Sequence, residues 1–225
     1  MMAAVLFWAA ALFIVYTYIG YPVLIGLLAK KRPLPSCALL DEASLPPITV
    51  VMAGYNEAAR LPGKIANLRA LDYPQHKVDI LLVSDGSTDA SARVLDNIHG
   101  VRTLSYAQRQ GKAFALNLAL AEVRTEFVVF CDVRQDLETG AVRRLISDFC
   151  DPAVGAVSGE LVHRPSATQT GQNIGLYWRY EKAIRKAESR FHSTVGATGA
   201  LYAIRTRDFA PIPPDTILDD FEIPM

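Results

Sequence analysis

Cysteine is scarce in this chain, and an excess of charge of either sign is missing. Only Cys37, Cys131 and Cys150 occur, an odd number with no CxxC spacing. That pattern argues against a zinc site or a disulfide framework and for reduced thiols in a reducing compartment. The 23 basic residues are balanced by 23 acidic ones, so no global basic field invites nucleic acid, and none is expected as a partner. His76, His99, His163 and His192 have no metal-ligand spacing. Internal repeats and low-complexity tracts are absent. Charge is also absent from Met1 to Ala29.

That uncharged stretch is the first positive signal. About 20 apolar residues cross a bilayer as a helix, and this run is longer. Trp8, Tyr16, Tyr18 and Tyr21 suit a water interface. Pro22 should kink or end the first helical part. A cleaved signal peptide would carry basic residues before a shorter apolar core, and neither is present. Lys30, Lys31 and Arg32 follow directly, and such a cluster stays on the inner side of the membrane. The sequence therefore predicts a single-pass anchor over 1–29 and a proline-bearing linker over 30–46. A catalytic domain over 47–225 follows, on the cytoplasmic face of the inner membrane.

From Pro47 onward, short apolar runs alternate with helical periodicity. Ile48–Met52, Val78–Val83, Arg102–Leu104 and Phe127–Phe130 read as strands. Leu61, Ile65 and Leu68 mark a helix, as do Val94, Leu95 and Ile98, the stretch Gly111–Leu120, and Leu137, Ala141, Leu145 and Phe149. Near-continuous apolar strands between amphipathic helices predict an α/β fold with a mostly parallel sheet covered on both faces. Such sheets bind ligands at the carboxyl ends of their strands. The polar clusters fall there: Tyr55-Asn56-Glu57, the stretch Asp85 to Asp89, and Asp132.

Each cluster has two readings. Asp85 can accept hydrogen bonds from a nucleobase edge, while Gly86 turns the chain and Ser87 or Thr88 can cap the next helix. Lys112, beside Gly111 at a helix start, suits a diphosphate; with Arg109 it also suits a solvated pair. Asp132 directly after a buried strand needs a cation or a partner such as Arg134, whereas Asp136 fits a helix start. Asp219-Asp220, in an apolar setting, suits general-base work and equally suits the first turn of a helix. Tyr177, Trp178 and Tyr180 can line a sugar platform, or pack in a core or at a membrane surface.

In order, the motifs are Val51–Glu57, Ser84–Asp89, Arg109–Ala113 with Asn117, Phe130–Asp132, Gly196–Ala200 and Leu218–Asp220. Together they resemble the family 2 glycosyltransferases of GT-A fold, a group that includes membrane synthases of cellulose, hyaluronan and poly-N-acetylglucosamine. The resemblance implies an inverting transferase with a Rossmann-like sheet. It would move sugar from a nucleotide-sugar, a UDP-sugar, to a saccharide or lipid-linked acceptor. It further implies that Ala53, Tyr55, Glu57 and Asp85 hold the base and ribose, and that Lys112 faces the diphosphate. Gly199 and Ala200 would border the acceptor. Asp219 and Asp220 match the last two residues of the family's Thr-Glu-Asp triplet, Asp220 being the base.

Two departures qualify the resemblance. The family's DxD motif reads Asp132-Val133-Arg134 here, so Asp132 matches the first acid and an arginine replaces the second. A magnesium or manganese ion on Asp132, or the Arg134 charge at the diphosphate, then remain as alternatives. The chain stops at Met225, before the family's Gln-x-x-Arg-Trp motif and C-terminal membrane helices, which reads as a truncated frame or fragment. Two other classes compete: a non-catalytic nucleotide-binding or assembly subunit of a polysaccharide complex, and a nucleotidyltransferase, which needs neither Asp219-Asp220 nor an anchor.

Overall fold

The computed structural model describes residues 1–33, 37–162 and 169–225, with the backbone alone for 169–176. His163 and the linker residues 34–36 lie outside the described residues. Two compact units divide the chain: 1–36 with 162–195, and 37–161 with 196–225.

In the first unit one helical run spans Met2–Lys30 and is long and apolar enough to cross a membrane. It consists of α1 (Met2–Val15), a π-helical turn (Tyr16–Gly20) and α2 (Tyr21–Lys30). The helix does not end at Pro22. Proline has no N–H to donate to the Tyr18 carbonyl one turn back, and the chain widens into a π turn at that place. The Tyr18 carbonyl instead accepts the Tyr180 hydroxyl at 2.7 Å. Tyr180 lies on α7 (Gln169–Phe191), which packs along α2. The Tyr21 hydroxyl donates to Glu188 at 2.5 Å, and Arg190 donates to the Arg32 carbonyl at 2.8 Å. Of the two readings of the Tyr177–Tyr180 stretch, packing beside the apolar helix is the one observed for Tyr180.

The second unit is a six-stranded sheet in the order β3-β2-β1-β4-β6-β5. Strands β1 (Ile48–Gly54), β2 (Val78–Asp85), β3 (Arg102–Tyr106) and β4 (Phe127–Cys131) run parallel. Strand β6 (Leu201–Arg205) is antiparallel to β4, and β5 (Ala156–Ser158) is antiparallel to β6. Alternation along each strand divides two apolar layers. Ile48, Val50, Met52, Ile80, Leu82 and Val129 face a layer containing α3 (Leu61–Arg69), α4 (Ser91–Asp96) and α6 (Ala141–Ser147). Val51, Leu81, Val83, Val128 and Phe130 face α5 (Lys112–Ala121).

Several local expectations are corrected. Strands β5 and β6 are additions to the expected set. Asp136 starts no helix, because α6 begins only at Ala141. Neither Ser87 nor Thr88 caps α4; the Ser91 amide donates to Asp89 at 2.9 Å. Cys37 and Cys150 are joined as a disulfide, with Cα atoms 5.9 Å apart. Spacing in the chain carries no information about a pair 113 residues apart. Cys131 alone remains free, and burial pushes its thiol up to about 11.

Candidate functional site

The loops that bear the motifs gather at the carboxyl ends of the parallel strands. The first follows β1. Asn56 takes a left-handed conformation, φ 56°, and its side-chain carbonyl accepts the Thr88 amide at 2.8 Å. Its own amide donates to the Ser87 hydroxyl at 3.1 Å. Ser87 and Thr88 thus tie the first loop to the second. The turn delivers Glu57, a buried carboxylate, between two guanidinium groups. Arg134 Nε lies 2.7 Å from Oε1 and Arg60 Nη1 lies 2.9 Å from Oε2. Burial pushes the Glu57 carboxyl up, but the hydrogen bonds from Arg134 and then Arg60 outweigh it, so the group sits below its ordinary value. The same contact raises the Arg134 guanidinium.

Asp85 closes β2 and is buried. Its Oδ1 accepts from the Tyr106 hydroxyl at 2.9 Å, the Gln110 amide at 2.7 Å and the Gly111 amide at 3.1 Å. Its Oδ2 accepts the Gly111 amide at 3.1 Å and faces Arg109 Nε at 3.6 Å. The carboxylate is therefore engaged by its own chain, and it fixes the segment that starts α5. Gly86, φ 59°, is required here: a Cβ would meet the Arg109 backbone nitrogen at 2.3 Å. The Arg109 guanidinium lies 4.3 Å from the centre of the half-buried Tyr55 ring. Ala53 sits one residue from the end of β1, paired with Val83.

The third loop follows β4. The Asp132 amide donates to the Ala200 carbonyl at 3.3 Å, while its half-buried carboxylate has no hydrogen bond or ion pair among the described residues. The structure does not pair Arg134 with Asp132; it gives Arg134 to Glu57. Two buried or half-buried residues of α3 hold the rest of this loop. Lys64 Nζ donates to the Gln135 carbonyl at 2.7 Å, and Asn67 exchanges two 2.9 Å hydrogen bonds with Leu137. Reading from sequence missed both. Their only signal was that Arg60, Lys64 and Asn67 recur at helical spacing as a polar stripe.

The antiparallel direction of β6 brings Gly196–Ala200 to this same end of the sheet. Cys131 pairs with Leu201, so the residues before β6 border those after β4. The Ala197 amide donates to the Asp220 carbonyl at 2.7 Å. Gly199 lies against the Asp220 side chain: a Cβ there would stand 2.8 Å from Oδ2. Asp219 and Asp220 form the first turn of a short helix, α8 (Asp219–Glu222), so the helix-start reading of the pair is correct as local structure. Asp219 is buried and its Oδ2 lies 2.7 Å from Lys112 Nζ. Asn117 makes that meeting possible. Its side chain donates to the Ile212 carbonyl at 2.7 Å and accepts the Ile212 amide at 3.0 Å, which returns the chain over α5.

Glu57, Asp85, Lys112, Asp132, Arg134, Gly199, Ala200, Asp219 and Asp220 are thus linked through hydrogen bonds, ion pairs and close packing at one end of the sheet. A divalent cation fits this donor set poorly. No group of three His, Cys, Asp or Glu side chains that could hold a metal occurs among the described residues. Magnesium can be held by one carboxylate plus substrate phosphates, but the carboxylate here, Asp132, stands in the field of the Arg134 guanidinium.

The Glycosyl transferase family 2 model matches residues 49–210. Poly-beta-1,6-N-acetyl-D-glucosamine synthase of Staphylococcus epidermidis is 26% identical over 136 residues, 58% of this chain and 32% of that protein. The synthase of the same name from Staphylococcus aureus is 31% identical over 116 residues, 50% of this chain and 28% of the relative. The chain therefore spans about a third of the length of these relatives. Among solved structures, the mannosyltransferase PcManGT from Pyrobaculum calidifontis in complex with GDP-Man and Mn2+ aligns with a TM-score of 0.73 at 27% identity, covering 94% of this chain and 61% of the other. TarS 1-349 of S. aureus shares the fold at a TM-score of 0.51 and 18% identity, over 77% of this chain and 52% of its own.

Proposed function

Since this chain belongs to the family 2 glycosyltransferases, we propose that it moves a sugar from a nucleotide-sugar to a saccharide or lipid-linked acceptor, with inversion at the anomeric carbon. UDP-sugar is the proposed donor. The relatives named as poly-N-acetylglucosamine synthases support a sugar-polymer acceptor. PcManGT with bound GDP-Man supports the nucleotide-sugar class. In this reading the base lies against Tyr55 and the backbone at Ala53, and Glu57 orders the same loop. Asp85 reaches the base edge once the segment 109–111 shifts, and otherwise sets the position of the amides before α5. Lys112 turns from Asp219 to the diphosphate when donor arrives. Asp220 takes the acceptor hydroxyl proton as that oxygen attacks the anomeric carbon, and the diphosphate leaves from the opposite face.

The observation that carries the reading is the seat of Asp220. Its carboxylate lies against Gly199, in a loop bonded through Ala200 to Asp132, the residue that follows β4. A missing side chain at 199 leaves the half-buried acid accessible to an acceptor hydroxyl. The test is a donor screen on purified membranes scored by release of nucleoside diphosphate.

The membrane face is part of the proposal. Lys30–Arg32 favour a cytoplasmic domain, where the Cys37–Cys150 pair would be reduced. The bonded pair favours an oxidising compartment instead. The cytoplasmic face proposed here rests on the Lys30–Arg32 cluster that directly follows the apolar helix. A second reading, a nucleotide-binding or assembly subunit without turnover, draws support from Arg134 in place of the second acid of the DxD motif, while Asp85 together with Asp220 speaks against it. Nucleotide binding with no sugar release would favour it.

A further inference from the structure

The ion triad Arg60–Glu57–Arg134 has a consequence for the donor's diphosphate. Glu57 accepts from Arg134 through Nε alone, at 2.7 Å. Both terminal nitrogens of that guanidinium have no partner among the described residues, and the side chain is 61% exposed. Two guanidinium groups around one carboxylate leave a net charge of one positive. An acid holding a dication leaves the same net charge. The loop that presents Arg134 is rigidly seated: Lys64 and Asn67 fasten it to α3, and the Asp132 amide fastens it to Ala200. A guanidinium with two free terminal donors matches two oxygens of one phosphate.

From this we infer that Arg134, held in place by Glu57, binds the diphosphate of the nucleotide donor directly, and that donor binding in this chain needs no divalent cation. Arg134 is the binding residue and Glu57 the positioning residue. The inference rests on the nucleotide-sugar reading above. It separates this chain from PcManGT, whose structure is in complex with GDP-Man and Mn2+. Lys112, at the start of α5, is the second positive group that the leaving diphosphate can meet.

The test uses the full chain in detergent, titrated with UDP and GDP in parallel, and with uridine and guanosine as references lacking phosphate. Binding of the preferred diphosphate should be the same in EDTA as in manganese. Arg134→Ala should weaken it about 10- to 100-fold, the worth of hydrogen bonds to a charged group. The matching nucleoside should bind as before. Glu57→Gln should cause a smaller loss, again confined to the diphosphate. Where Arg134→Ala also loses the nucleoside, Arg134→Lys replaces it: charge is kept, the fork is lost, and the diphosphate alone should weaken. Loss of binding in EDTA by the unmodified protein would overturn the inference and return Asp132 to a metal-ligand role, leaving the transferase reading intact. Unchanged diphosphate affinity in both Arg134 variants would overturn it as well. Failure of either nucleotide to bind under any condition would remove the inference and the donor reading together.

Discussion

Lys112 and Asp219 stand 2.7 Å apart, one at the first residue of α5 and the other at the first residue of α8. This contact joins the proposed diphosphate lysine to the neighbour of the proposed base. Lys112 is half-exposed, so the pair is worth no more than about 1 kcal/mol. Asp219→Asn should free the ammonium and raise nucleoside diphosphate affinity by up to about fivefold, because the lysine no longer leaves a partner to meet the phosphates. Isothermal titration of both forms with UDP and GDP reads this. A lower affinity in the variant would mean that Asp219 aims Lys112 at the donor instead of holding it back.

The Glu57 carboxyl gives a pH prediction with a defined sign. Its folded value is lowered from the ordinary 4.5. The stability it contributes is therefore fully present above about pH 4.5 and is lost as pH falls through the depressed folded value. Glu57→Gln should cost ~1–2 kcal/mol at pH 7, a figure kept small because both arginines are more than half exposed. The gap between parent and variant in thermal melting should narrow below pH 4.5. A gap that widens in acid would contradict the ion triad.

A side chain at Gly199 should displace the Asp220 carboxylate, at little cost to folding, because the atom it meets is the end of a flexible side chain. The Cβ of Gly199→Ala would stand 2.8 Å from Asp220 Oδ2 and push the carboxylate from its seat. The variant should lose kcat by roughly 10-fold or more while keeping its donor KM, since misplacing a reacting group costs rate. A thermal melt of the variant distinguishes this from general unfolding, which would lower the active fraction, and so the apparent kcat, with the donor KM equally unchanged. An unaltered kcat would remove the close packing from the account.

The compartment can be read from the thiols. A cytoplasmic domain predicts that cells alkylated before lysis yield Cys37 and Cys150 as modified thiols, with the disulfide forming only on later oxidation. A reporter fused after Met225 should be active only if it folds inside the cell. A bond already present in cells, with a reporter active only outside, would reverse the assigned face.

Much of the sheet was legible because parallel strands buried on both faces leave continuous apolar runs, and β1, β2, β3 and β4 lie on the four runs expected. Strand β6 was passed over although Leu201–Ile204 is such a run. Its antiparallel pairing with β4 is a long-range fact, and that pairing places Gly199 beside Asp220. The site residues were legible as types at strand ends, but their partners were not. Arg134 finds Glu57 across 77 positions, and Asp85 finds the amides of Gln110 and Gly111. Tyr180 meets Tyr18 across 162 positions, at the carbonyl to which Pro22, one turn on, has no N–H to offer. Local pattern names candidates, and tertiary contact decides which of them meet.

The central claim is sugar transfer with Asp220 as general base, and one assay tests it most directly. Membranes carrying the parent chain or Asp220→Asn are supplied with nucleotide-sugars, and nucleoside diphosphate release is followed alongside nucleotide binding. The substitution keeps the size of the side chain at its place against Gly199 and removes the proton acceptor. The account predicts transfer by the parent, unchanged nucleotide binding by the variant, and a rate lower by about 10²–10⁴-fold, the usual worth of a general base. Transfer by Asp220→Asn at the parent rate, or no release from any donor by the parent, would contradict it.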